Sequence, residues 1–89
     1  MIRRHITIVN KLGLHARAAA KFTQAASTFQ CAVWVSRNGK RVNAKSIMGV
    51  MMLAAGIGAS IEVEADGDDE QAAMSALEAL VASKFGEPS

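Results

Sequence analysis

The chain has 89 residues, which is long enough for one domain, residues 1–89. Its formal net charge of +2 is too small to indicate a nucleic-acid-binding protein. Hydrophobic residues make up 51% of the chain and aromatic residues only 4%, which predicts a core of small aliphatic side chains. The single cysteine, Cys31, excludes an internal disulfide and a cysteine-rich metal site.

The first predicted elements are a strand and a helix joined by a short loop. Isoleucines alternate with polar residues over Ile2–Val9, a pattern typical of a half-buried β-strand. An alanine-rich stretch with high helix propensity follows, from about Ala16 to Ser27. Gly13 allows the loop between them to turn sharply, which places His15 at the N-terminus of the helix.

This helix terminus is predicted to bind an anion. His15 would lie beside free backbone N–H groups at the positive end of the helix dipole, and Arg17 adds a cation one turn in. The dipole also disfavours the imidazolium form, so we expect His15 to be neutral and nucleophilic. A nucleophile inside a phosphate-binding site suggests reversible phosphorylation of histidine. Spacing alone leaves the alternative open, because a lone histidine near a helix start is more often an ordinary surface residue.

The middle of the chain predicts a β-hairpin followed by a short helix. Gln30–Ser36 and Lys40–Asn43 are the two strands, and the Asn-Gly pair between them is the strongest short hairpin signal in the sequence. Ser46 is a good cap for a helix over Ile47–Leu53. The glycine-containing segment that follows is predicted to be a loop.

The last predicted elements are a strand and a final helix. Alternation over Ser60–Asp66 indicates a strand with Glu62 and Glu64 facing outward. Asp68 is predicted to cap the helix, with Gln71 placed for a capping-box-like exchange. The order is therefore β-α-β-β-α-β-α, which a four-stranded, mostly antiparallel sheet with helices on one face would satisfy.

Two separated motifs resemble the signatures of one protein family. The segment Gly13-Leu14-His15-Ala16-Arg17 resembles the active-site signature of the HPr family, the histidine phosphocarriers of the phosphoenolpyruvate-dependent sugar phosphotransferase system. The segment from Asn43 to Met51 resembles the family's second signature, around its regulatory serine. Because length and element order also agree, the resemblance covers essentially the whole chain. It implies an α+β open-faced β-sandwich with strand order 1-4-2-3 and three helices on one face.

The resemblance also implies a role for each motif residue. His15 would accept a phosphoryl group through its Nδ1 atom from phosphorylated enzyme I and pass it to the IIA component of a sugar transporter. The Arg17 side chain and the backbone N–H groups of Ala16 and Arg17 would bind the phosphate. Ser46 is a candidate for regulatory phosphorylation by a serine kinase/phosphorylase. The implied docking patch for partners consists of Ala20, Gln24, Ile47, Met48 and Met51.

Several alternatives stay open at this point. The family usually has proline where this chain has Ala18, which puts local rigidity in doubt but not the chemistry. A parallel nitrogen-related branch uses the same histidine, although the sequence around Ser46 looks closer to the sugar branch. A hypothesis of another class is a small non-enzymatic binding or regulatory module, most commonly with a basic face that meets nucleic acid.

The remaining expectations concern cofactors, location and assembly. The sequence has no Walker loop, no metal-ligand cluster and no second nucleophile with an obvious base, so no other motif competes with the one around His15. The resemblance implies a carrier that is not itself an enzyme, and we expect it to use no cofactor or metal. The charged N-terminus lacks a following apolar run, and the longest apolar run is far below the roughly 20 residues needed to span a bilayer. We therefore expect a cytoplasmic protein with no direct membrane insertion. We also expect it to be a monomer.

Overall fold

The computed structural model describes residues 1–89 and contains four strands and three helices. The strands are β1 (Ile2–Thr7), β2 (Ala32–Arg37), β3 (Lys40–Asn43) and β4 (Ser60–Asp66). The helices are α1 (Ala16–Ser27), α2 (Ile47–Met51) and α3 (Glu70–Ala82), and a 3₁₀ turn at Lys84–Gly86 follows α3. The predicted element order is confirmed, with some boundaries moved by one to three residues; the largest change is at the last helix, which is predicted to continue to Phe85 but ends at Ala82. No helix is both long enough and apolar enough to cross a membrane.

The four strands form one sheet in the order β1-β4-β2-β3, as the resemblance implied. Every neighbouring pair is antiparallel, so the sheet is fully rather than mostly antiparallel. In this register Val63 of β4 lies opposite Val35 of β2, and Ala65 lies between Ile2 of β1 and Val33 of β2. These apolar side chains share one face of the sheet because side chains alternate along a strand. The α+β open-faced sandwich is therefore confirmed.

The core lies between this face and the helices. As expected from the composition, it is built mainly from small aliphatic side chains, with Phe22 and Phe85 as its two large aromatic members. Helix α2 is anchored by Val50, which is fully buried, while its other large side chains are exposed. Burying a side chain of this size stabilises a fold by about 1.5–3 kcal/mol, which explains how so short a helix is held in place.

The predicted cap of the last helix is wrong. Helix α3 begins one residue later than Asp68 implies, and its N-cap residue, Asp69, makes no side-chain cap. The Asp69 carboxylate instead accepts hydrogen bonds from the backbone N–H groups of Gln30, at 2.8 Å, and Cys31, at 2.9 Å. Gln71 takes no part, because Glu70 supplies the carboxylate that accepts from the N–H of Gly67. A short acidic side chain can accept hydrogen bonds from the N–H groups of a nearby loop as readily as from those of its own helix, and Asp69 accepts from the loop.

The outer face of the sheet carries a charged network. Glu64 faces outward as predicted, but it is only 5% exposed because Arg41, at 3.2 Å, and Arg3, at 3.4 Å, lie over it. Hydrogen bonding from Arg41 holds the pKa of Glu64 below its usual range. The Arg41 guanidinium also lies 4.1 Å from the centre of the Trp34 ring and partly covers it.

Candidate functional site

The loop before α1 is fixed by backbone contacts. Gly13 has a φ of +68°, and its N–H donates to the carbonyl of Asn10 at 3.2 Å. The N–H of Leu14 donates to the carbonyl of Ala55 at 2.8 Å, which ties this loop to the loop after α2. A β-carbon on Gly13 would lie only 2.5 Å from that same carbonyl oxygen, so glycine is needed here for its conformation and for its size.

His15 lies at the N-cap of α1, where the chain enters the helix in an extended conformation. Its carbonyl accepts the first helical hydrogen bond, from Ala19, while its side chain makes no cap. The N–H groups of Ala16, Arg17 and Ala18 have no acceptor within the chain. The helix therefore presents several unpaired donors at the positive end of its dipole, next to the imidazole.

The start of α1 also contains Ala18, at the position where the family usually has proline. Ala18 lies in the first turn of α1, and its N–H has no acceptor to lose. Its side chain is fully buried, so it contributes packing to the core. Proline would be compatible with this backbone because the N–H that it lacks is not used here.

The side-chain carboxylate of Glu87, in the C-terminal tail, lies against the imidazole of His15. Oε2 of Glu87 is 2.6 Å from Nε2 of His15, and Oε1 of Glu87 accepts a hydrogen bond of 3.0 Å from the side-chain amide of Asn10. Both hydrogen bonds lower the pKa of Glu87, and the one from Asn10 has the larger effect. Sequence reasoning missed Glu87, because nothing in the tail indicates that it returns to a histidine far earlier in the chain.

The imidazole and Arg17 open onto one surface groove. The groove has a volume of about 450 Å³ and is lined by Leu12, His15, Ala16, Arg17, Glu87, Pro88 and Ser89. The His15 side chain is 29% exposed, so a partner can reach it. The Arg17 side chain is exposed and makes no ion pair or hydrogen bond within the chain, which leaves its guanidinium available to an anion. The structure thus brings His15, Ala16 and Arg17 together, as the sequence predicts.

The residues of the predicted docking patch lie on α1 and α2, which pack against each other. On α2, Met48 is 73% exposed, and Ile47 and Met51 are also exposed. On α1, Gln24 is exposed and Ala20 is half-buried. The surface formed by Ala20, Gln24, Ile47, Met48 and Met51 is called the docking patch below.

Ser46 is the N-cap residue of α2. Its Oγ accepts a hydrogen bond of 3.1 Å from the N–H of Gly49, and the residue itself is exposed. It is next to Ile47 and Met48 in the chain, so a charge on Ser46 would lie at the edge of the docking patch. The chain contains no group of three or more histidine, cysteine or acidic side chains that could hold a metal ion.

Comparisons with known proteins agree on one family. A family model described as the PTS HPr component phosphorylation site matches residues 2–83. The phosphocarrier protein HPr of Cupriavidus necator is 64% identical over 87 residues, which cover 98% of each chain. The crystal structure of HPr-C-His from Thermoanaerobacter tengcongensis superposes with a TM-score of 0.96 at 50% identity and covers both chains completely. An HPr dimer from the same organism matches with a TM-score of 0.79 at 52% identity, covering 98% of this chain and 100% of that one.

Proposed function

The chain belongs to the HPr family of phosphocarrier proteins of the phosphotransferase system, and we propose that it accepts a phosphoryl group on His15 from phosphorylated enzyme I and passes it to a IIA component. The observation that carries this proposal is the position of His15 at the N-cap of α1, beside free N–H groups and the unpaired Arg17. A nucleophile and an anion site coincide there.

Each neighbour of His15 has a role in this proposal. The N–H groups of Ala16 and Arg17 would donate hydrogen bonds to the phosphoryl oxygens, and the Arg17 guanidinium would add a charge-assisted contact. Phosphoryl transfer requires mainly positioning and electrostatic stabilisation, so a small domain can perform its share with these groups. The partner proteins would supply the rest, which makes this chain a stoichiometric carrier rather than an enzyme.

The family relation supports two further parts of the proposal. We expect residues 1–89 to act as one domain in the cytoplasm, where phosphorylated enzyme I would reach it. We also expect it to act as a monomer, a state that leaves α1 and α2 uncovered for a docking partner. Sedimentation at working concentration would distinguish a monomer from the dimeric state described for the Thermoanaerobacter tengcongensis protein.

The proposal is tested by following the phosphoryl group through both steps. With phosphoenolpyruvate and a catalytic amount of enzyme I, the protein should gain the mass of one phosphoryl group. Adding a IIA component of sugar transport should then remove it. No uptake from enzyme I would contradict the proposal. Discharge only to a nitrogen-related IIA component would assign the chain to that branch instead.

We propose that the docking patch binds enzyme I and IIA through its apolar side chains. An exposed methionine is flexible and polarisable, so it can adapt to more than one partner. Met48→Glu should leave thermal stability nearly unchanged, because Met48 is 73% exposed. It should weaken binding to enzyme I by roughly 10-fold or more, as loss of a central apolar contact does in interfaces.

Met52→Glu is the matched control for this prediction. Met52 is also exposed, at 59%, but it lies outside the docking patch. Isothermal calorimetry should give weakened binding for Met48→Glu and near-normal binding for Met52→Glu. Equal losses in the two variants would indicate a general effect of charge, and a stability loss of about 3–5 kcal/mol in Met48→Glu would place Met48 in the interior.

We propose that Ser46 is a regulatory phosphorylation site for a serine kinase/phosphorylase. A phosphate adds roughly −1.5 to −2 charges at neutral pH, and a helix N-terminus accommodates negative charge. The fold should therefore persist. The charge would lie beside Met48 in the docking patch, where desolvating it is costly and an acidic partner would be repelled.

Ser46→Asp should reproduce part of this effect. Aspartate is as good an N-cap as serine, so the melting temperature should be unchanged or raised. Phosphorylation of His15 by enzyme I should be slower, mainly through a rise of roughly 10-fold in the apparent KM. Ser75→Asp on the exposed face of α3 is the control and should behave like the parent protein. Parent-like transfer kinetics for Ser46→Asp would remove Ser46 from the functional surface.

A further inference from the structure

The C-terminal tail is bent back toward His15 by an unusual backbone conformation. Lys84 and Phe85, neither of them glycine, have φ values of +60° and +56°, and Gly86 follows at +76°. Left-handed conformations are costly for residues with a β-carbon, so packing must hold them. The Phe85 ring is fully buried, and the Lys21 ammonium donates to the Phe85 carbonyl at 2.6 Å. The tail is therefore held in the one direction that brings Glu87 to the imidazole.

A buried amide fixes the position of the Glu87 carboxylate. Asn10 is completely buried, and its side-chain nitrogen donates to the Gly13 carbonyl at 2.9 Å and to Oε1 of Glu87 at 3.0 Å. Both amide hydrogens are thereby used. If the Asn10 amide were turned around, its oxygen would face the Gly13 carbonyl and the Glu87 carboxylate, which are both acceptors. These two acceptors therefore determine the orientation of the amide. Glu87 is itself only 10% exposed, and its second oxygen lies 2.6 Å from Nε2 of His15.

We propose that Glu87 is the positioning residue of the phosphoryl-accepting site, holding the His15 proton on Nε2 so that Nδ1 carries the lone pair that attacks phosphorus. The inference rests on the proposed function of His15 and adds to it the group that selects the reactive nitrogen. Nδ1 makes no hydrogen bond within the chain, whereas Nε2 is engaged by the carboxylate. A carboxylate on one ring nitrogen fixes the tautomer and the orientation of the ring.

Glu87 would also stabilise charge during the transfer. The Nδ1 lone pair forms the new N–P bond while the bond between phosphorus and the donor group of phosphorylated enzyme I breaks, and the electron pair of that bond returns to the donor group. No proton moves in this step. Because His15 keeps its Nε2 proton and gains a bond at Nδ1, its ring becomes cationic. The Glu87 carboxylate, already in place at Nε2, would offset that developing charge.

The test compares Glu87→Gln with Glu78→Gln, a matched change on the exposed face of α3. At a pH where His15 is neutral, ¹⁵N NMR of the parent protein should show one tautomer, with Nε2 protonated. Glutamine can accept or donate a hydrogen bond at this position, so Glu87→Gln should show a mixture of tautomers. Its maximum rate of phosphorylation by enzyme I should fall about 10- to 100-fold, the range typical of carboxylates that orient a metal-bound histidine, while its KM stays near that of the parent.

The two readouts separate this inference from the proposed function. Glu78→Gln should match the parent in both, and an equal loss there would overturn the inference. A single Nε2-protonated tautomer and a parent-like rate in Glu87→Gln would also overturn it. If the parent protein accepted no phosphoryl group at all, the proposed function would fail, but the NMR comparison would still decide whether Glu87 sets the tautomer of His15.

Discussion

Replacing Gly13 by alanine is expected to lower the free energy of unfolding by about 2–5 kcal/mol and to slow phosphorylation of His15. The new β-carbon would lie 2.5 Å from the carbonyl oxygen of Ala55 and 2.7 Å from the α-carbon of Gly56. Both are backbone atoms, so no side chain can rotate out of the way. The residue must also adopt a φ of +68°, which costs about 1–2 kcal/mol for a residue with a β-carbon.

Gly58→Ala separates the cost of the positive φ from the cost of the contact with backbone atoms. Gly58 has a φ of +84°, but a β-carbon there would have no atom within 4 Å. Denaturant unfolding should show only the conformational cost in Gly58→Ala and a larger loss in Gly13→Ala. The phosphorylation rate should fall mainly in Gly13→Ala, because a displacement of the reacting group by about 1 Å can cost about 10²-fold. Equal stability and equal rates in the two variants would mean that the Gly13 loop moves freely away from Ala55.

The fold was largely predictable because its signals are local. The alternation over Ser60–Asp66 matches β4 residue for residue, and the Asn-Gly pair does join β2 to β3. The position of His15 at the start of α1 was predictable for the same reason, since a glycine turn followed by an alanine-rich run specifies a helix start. The strand order came from the family resemblance, because hairpin and helix signals alone do not determine which strand lies beside β1.

The parts that were missed depend on tertiary contacts. Glu87 reaches His15 only because Lys84 and Phe85 adopt left-handed conformations that helix and turn preferences do not predict. Glu64 looked like a solvent-facing residue of an alternating strand, but Arg41 from a nonadjacent strand lies over it. In each case the decisive contact joins residues far apart in the sequence.

His15→Ala is expected to fold normally and to accept no phosphoryl group. The side chain of His15 makes no helix cap and is partly exposed, so its loss removes mainly the hydrogen bond to Glu87 and should cost about 1.5–3 kcal/mol in stability. Thermal unfolding should therefore remain cooperative, at a lower temperature than in the parent protein. Phosphoryl uptake should nevertheless vanish, because no other nucleophile shares the free N–H groups at the start of α1. An unfolded His15→Ala protein would show that the imidazole has a structural role larger than its contact with Glu87 indicates.

The most direct test of His15 as the acceptor is intact-mass measurement after incubation with phosphoenolpyruvate and enzyme I. The chain contains only two histidines, so His5→Ala on the outer face of the sheet is the natural control for His15→Ala. The parent protein and His5→Ala should each gain one acid-labile phosphoryl group, and His15→Ala should gain none. Retained acid-labile phosphorylation in His15→Ala, or its loss in a folded His5→Ala, would contradict the assignment.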